Sequence, residues 1–84
     1  MALQLDIPES IAVGLRLPEA EIEPRLRLEL ALALYSQEIL SFGKAVELSG
    51  ISRYPFGDLL AKRGIPRHYT EADLALDVSY VRGL

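Results

Sequence analysis

Between residues 25 and 34 the chain reads RLRLELALAL, with leucine at every second position: Leu26, Leu28, Leu30, Leu32 and Leu34. As a strand, that run would place every leucine on one face; as a helix turning about 100° per residue, it is apolar on two sides. Residues 25–38 contain no β-branched residue, no glycine and no proline, while Leu, Ala, Arg, Glu and Gln all favour the helix. Pro24 suits a place near the first helical position, and Glu19, Glu21 and Glu23 lie at what would be the positive end. The spacing therefore predicts a central helix. Leu26, Leu30 and Leu34 form one stripe, and Leu28, Leu32, Tyr35 and Ile39 form a roughly opposite one. Two apolar sides need two covers, so the helix is expected to sit between its own domain and a second copy of the chain. Leu26, Leu28, Leu30, Leu32, Leu34 and Tyr35 are the expected dimer interface. The alternative is one compact fold that encloses both stripes.

Size points the same way. Eighty-four residues make a single domain, and a chain this short buries only about 60–65% of the surface its unfolded form exposes, so a second subunit would add what a lone core lacks. Half the residues are hydrophobic, at the top of the normal range. Cysteine is absent, which excludes a disulfide framework and a cysteine zinc site. The opening MALQLDIPES lacks the basic region and unbroken apolar run of a signal peptide, and no stretch approaches ~18 consecutive apolar residues. These features lead us to expect a soluble, cytoplasmic protein with no membrane contact.

The net charge of −3 argues against a generally basic nucleic-acid binder, yet the charge is unevenly spread. Residues 1–40 carry −4, residues 41–69 carry +3 and residues 70–84 carry −2. The basic part is the middle.

Around the central helix, Leu3, Leu5 and Ile7 alternate with Gln4 and Asp6, a period-2 pattern that predicts a short N-terminal strand ending at Pro8. Pro8 and Glu9 favour the start of a short helix to about Leu15. In residues 41–64, Ser41 can cap one helix, Gly50 supplies the easy positive φ of a tight turn, Ser52 can cap a second helix, and Gly64 ends it. Ala45, Val46, Leu48 or Ser49, Ile51, Phe56 and Leu59, with Leu60 nearby, form the inward set of a helix-turn-helix. Ile65 and Pro66 then read as a short extended segment. Thr70 and Asp73 resemble a capping box opening a last helix over about 71–81, with Leu74, Val78 and Val81 as its apolar stripe. The fold expected is mainly α in one domain. Residues 1–40 hold the strand and dimerisation helices, 41–64 the helix-turn-helix and 65–84 a partner-binding tail.

The run LYSQEILSFGKAVELSGISRYPFGDLLAKRGIPRHYTEADLALD, residues 34–77, resembles a family of small, formally uncharacterised prokaryotic proteins regarded as antitoxins. The likeness rests on a leucine-rich helix ending in Leu34 and Tyr35, a polar spacer, GKAVELSGISR over 43–53, an aromatic-led helix, RGIP over 63–66 and an acidic tail. It implies a DNA-binding protein whose partner is a PIN-like nuclease toxin. Two positions depart from the family pattern. Val46 stands for the usual alanine and adds bulk where two helices approach, and Pro55 rigidifies the first turn of the second helix, a place that tolerates it.

For DNA contact the expected residues are Lys44, Ser52, Arg53, Tyr54, Lys62, Arg63 and Arg67. Arg53 can fork onto a guanine edge or a phosphate, Ser52 and Tyr54 can donate to phosphate oxygens, and the other cations can neutralise phosphates. Asp58 on the same helix works against this. A dimer would double the phosphate contacts and set two recognition helices about one DNA turn apart. For toxin contact the expected residues are Tyr69, Glu71, Asp73, Leu74, Asp77 and Val78, whose acids suit a basic nuclease cleft. The alternatives are an apolar tail stripe packed back on the domain, and ordinary solvated charges on a helical pair used for protein contact.

Catalysis finds no footing. His68 is the only histidine and has no second ligand-spaced residue, so neither a metal site nor a histidine-activated nucleophile assembles. Beside Tyr69 it reads as a strand end. No GxGxxG or P-loop pattern cradles a phosphate. We therefore expect no enzyme, no cofactor, no metal and no small-molecule substrate. The function expected is an antitoxin-like transcriptional regulator acting as a homodimer on promoter DNA and on a nuclease toxin; the alternative is a protein-interaction adaptor that does not touch DNA.

Overall fold

The computed structural model describes residues 2–68, which carry four helices: α1 (Glu9–Gly14), α2 (Glu19–Ser36), α3 (Phe42–Ser49) and α4 (Arg53–Lys62). The chain is mainly helical. The expected helix over 71–81 and the six expected toxin-contact residues, Tyr69, Glu71, Asp73, Leu74, Asp77 and Val78, lie outside the described residues.

The leucine run is helical, as its propensities require, and two i,i+4 ion pairs staple its outer face: Glu23 with Arg27 and Arg25 with Glu29, each at 3.1 Å. Its start differs from the expectation. α2 begins at Glu19 behind Pro18, so Pro24 sits inside the helix rather than at its mouth. Pro24 has no N–H, and the carbonyl it leaves unpaired, that of Ala20, lies on an exposed turn that water reaches.

At its other end α2 closes with Glu38 in the left-handed region, φ 61. The Ile39 amide donates to the Leu34 carbonyl at 2.9 Å and the Glu38 amide to the Tyr35 carbonyl at 3.0 Å. This is the paired-bond helix stop that glycine usually occupies. α4 ends the same way with the expected glycine: Gly64 has φ 67, and Ile65 donates to the Leu60 carbonyl at 2.9 Å.

The core lies where α2 meets α3 and α4. Ala31, Leu32 and Tyr35 from α2, Phe42 and Ala45 from α3, and Phe56 and Leu60 from α4 are all buried. Tyr35 is its hub. Its ring meets Phe42 edge-on at 5.9 Å and Phe56 at 6.3 Å, and stacks on the His68 ring at 4.1 Å. Each large side chain fully enclosed here stabilises the fold by about 1.5–3 kcal/mol.

The N-terminal strand is not formed. No strand occurs among the described residues, and no backbone hydrogen bond joins residues 2–7 to the rest of them. A strand needs a ladder partner, and a helical domain offers none. Leu3 and Leu5 are accordingly 86% and 76% exposed.

Candidate nucleic-acid interface

α3, the turn at residues 50–52 and α4 make the unit on which DNA contact was expected. Ser41 caps α3 by accepting the Lys44 amide at 3.3 Å, and Gly50 takes φ 78 to leave the helix. Ser52 occupies the position before α4, but its side chain makes no capping bond. The turn is instead tied by Ser49. Its buried hydroxyl donates to the Val46 carbonyl at 2.7 Å and accepts the Ile51 amide at 3.2 Å. Ala45 makes the buried helix contact while Val46 stands half-buried at its edge, so the extra bulk is accommodated. Pro55 falls in the first turn of α4, where its amide would have no helical partner anyway.

The basic residues divide into two sets. Lys44 pairs with Glu47 at 3.3 Å, and Lys62 pairs with Asp58 at 2.9 Å, so the carboxylate that opposes phosphate is matched by its own neighbour. Arg63 reaches across the fold and forks onto Glu29 of α2, with Nη1 2.6 Å from Oε2 and Nη2 2.7 Å from Oε1. That fork holds the Glu29 carboxyl down at about 2 against the opposing effect of burial, with further help from Arg25, and the carboxylate in turn raises Arg63. The second set is Arg53 and Arg67, whose guanidiniums lie 4.9 and 4.1 Å from the centroid of the same Phe42 ring. Tyr54, next to Arg53, is 89% exposed.

Arg67 owes its place to the residue after it. The Tyr35 hydroxyl accepts the His68 amide at 2.9 Å and donates to the His68 carbonyl at 3.1 Å, while His68 Nε2 donates to the Tyr35 carbonyl at 2.8 Å. A carbonyl only accepts, so the hydrogen is on Nε2. Residues 65–68 are thus bound to the end of α2, and His68 is a structural tie rather than a strand end. Sequence reasoning missed both His68 and Phe42. Phe42 was findable, because it stands at i−3 from Ala45 and i−7 from Ser49 on the stripe they share; nothing local marks the Tyr35 and His68 pair.

The expected dimer interface is split. Leu32 and Tyr35 are 2% and 0% exposed inside the chain's own core and are withdrawn from any second subunit, and Leu28 packs against that core. The outer stripe differs. Leu30 is 41% exposed, and Leu26 and Leu34 are half-buried.

Among the described residues, no three His, Asp or Glu side chains group as metal ligands, and no helix is long and apolar enough to cross a membrane. An open groove between the start of α2 and the α3–α4 turn, lined in part by Leu17, Pro24, Leu28 and Ile51, gathers no histidine or nucleophile poised beside a base.

The model of UPF0175, an uncharacterised protein family, matches residues 1–83. The chain belongs to the UPF0175 family. A UPF0175 protein of Aeropyrum pernix is 45% identical over 80 residues, 95% of this chain and 85% of that one. Family members from Synechocystis and Archaeoglobus fulgidus are 32% and 34% identical, over 98% and 77% of this chain and 88% and 75% of theirs. No solved structure matches it.

Proposed function

We propose that this UPF0175 protein is an antitoxin-like transcriptional regulator: a homodimer that contacts promoter DNA through α4 and neutralises a PIN-like nuclease through the tail of residues 65–84. The observation that carries the DNA reading is the juxtaposition at the start of α4, where exposed Tyr54 adjoins Arg53 and the Arg53 and Arg67 guanidiniums share one aromatic ring. Aromatic stacking pre-orients these two cations, and forked guanidiniums suit phosphates and guanine edges. The half-exposed outer stripe of α2 supports the homodimer. The nuclease comes from the resemblance of residues 34–77 to antitoxins, and its basic cleft suits the acids of the tail.

Salt tests the DNA reading. A dimer neutralising about six phosphates loses ~10³-fold in affinity for its promoter between 50 and 200 mM salt. Arg53→Ala should weaken that binding tenfold or more, and an unchanged affinity would remove α4 from the interface. Deleting residues 70–84 should abolish nuclease inhibition without changing promoter affinity.

A second reading has its own support. Lys44, Lys62 and Arg63 are each ion-paired within the chain, so most of the cations on this unit are already matched. That favours a protein-interaction adaptor. Promoter binding that is absent, or that ignores salt, would select it.

A further inference from the structure

The segment that sequence reads as a strand has everything a strand needs except a neighbour. Leu3, Leu5 and Ile7 alternate with Gln4 and Asp6. Those three apolar side chains are 86%, 76% and 39% exposed, and residues 2–7 make no backbone hydrogen bond to the described chain. Unpaired amides and carbonyls beside a period-2 apolar pattern recruit another strand.

We infer that residues 3–7 pair antiparallel with the same residues of a second copy, in a two-stranded ribbon centred on Leu5. The pattern itself selects the occupant. LQLDI is symmetric in apolar and polar classes about Leu5, so two copies running antiparallel through that point set Leu3 opposite the partner's Ile7, Leu5 opposite the partner's Leu5, and Gln4 opposite the partner's Asp6. All three apolar side chains of each copy then share one face. The other face holds amide-to-carboxylate pairs, which can hydrogen-bond. A one-residue slip would set leucine against the polar side. Centring on Asp6 would oppose two carboxylates, and centring on Gln4 would set each Asp6 opposite the partner's Ala2, so neither carboxylate would meet an amide side chain. Pro8 has no N–H and ends the ladder.

A two-stranded ribbon is marginal alone. Exposed apolar side chains available to cover its leucine face include Ile11 and Val13 on α1, 55% and 78% exposed, and Leu30 on α2. The inference rests on the homodimer of the proposed reading and not on its DNA contact.

The absence of cysteine makes the register directly testable in the full chain. Opposed residues of an antiparallel pair lie about 4.5–5.5 Å apart at Cα, within disulfide reach. Leu5→Cys should therefore cross-link to a covalent dimer on mild oxidation. Leu3→Cys and Ile7→Cys alone would hold their thiols about four residues, or ~13 Å, out of register. They should cross-link at least tenfold more slowly, and their equimolar mixture should cross-link quickly as a heterodimer. Equal rates at positions 3, 5 and 7 would overturn the ribbon. A stable dimer in sedimentation whose Leu5→Cys variant fails to cross-link would also overturn it, while leaving a dimer built on α2 standing. A monomer at high protein concentration would overturn both. All three positions are exposed and outside the core, so circular dichroism should match the parent protein throughout.

Discussion

Tyr35 and His68, 33 residues apart, hold each other by three hydrogen bonds and a stacked pair of rings: the tyrosine hydroxyl takes both backbone polar groups of His68, and the imidazole returns a bond to the Tyr35 carbonyl. Tyr35→Phe keeps the ring and the core packing but strands an amide and a carbonyl in a half-buried place. It should destabilise the fold by about 1–2 kcal/mol. Hydrogen exchange at the His68 amide should speed up more than exchange in α3, and uniform acceleration would contradict the local tie.

The Glu29 and Arg63 fork gives the fold an acid-sensitive brace. The Glu29 carboxyl titrates at about 2 in the folded chain against 4.5 ordinarily, so the folded state holds its proton less tightly than the unfolded one. The stabilisation is present above about pH 4.5 and is lost as pH falls toward 2. With the Glu29 side chain 40% exposed, solvent screening limits the pair to about 1 kcal/mol. Urea midpoints of the parent protein and Glu29→Gln should differ at pH 7 and converge only as the pH falls to about 2 or below. A difference that persists at the low pH would mean the fork contributes little.

Two residues with positive φ should respond in opposite directions. Glu38 holds φ 61 with a side chain, where glycine would be relaxed. Glu38→Gly should stabilise the protein by about 0.5–1 kcal/mol once glycine's greater unfolded-state freedom is counted. Gly50→Ala should destabilise by about 1 kcal/mol through the backbone alone, because an added Cβ would meet nothing within 4 Å. Melting temperatures of the two variants should fall on either side of the parent's.

Ser49 should matter more than its size implies. Its hydroxyl is buried and carries both bonds of the turn, so Ser49→Ala should cost about 1–2 kcal/mol and loosen the α3–α4 connection. A loss below about 0.5 kcal/mol, read by denaturant midpoint, would show that water replaces the hydroxyl.

What the sequence revealed was mostly local. Ser41, Gly50 and Gly64 mark helix ends through cap chemistry and backbone freedom that need only a few neighbouring residues. The leucine run gives its helical state by propensity. The stripes of that helix were harder to apportion, because which of them is enclosed depends on α3 and α4, and Leu32 and Tyr35 went inward. Pro24 points to a helix start, yet α2 begins five residues earlier at Glu19, because the carbonyl that Pro24 leaves unpaired, that of Ala20, lies on an exposed first turn. The site was less legible than the fold. Whether Arg63 faces outward depends on Glu29, 34 residues away, and whether Arg67 is oriented depends on Phe42 and on His68's grip on Tyr35. No short window contains those partners.

The anchoring of His68 also has a mechanical side. A load drawn from beyond residue 68 enters the fold through the Tyr35 hydroxyl and carbonyl and passes from that ring to Phe42 of α3 and Phe56 of α4. A grip on that end therefore tugs first on the residue around which the whole interior is assembled.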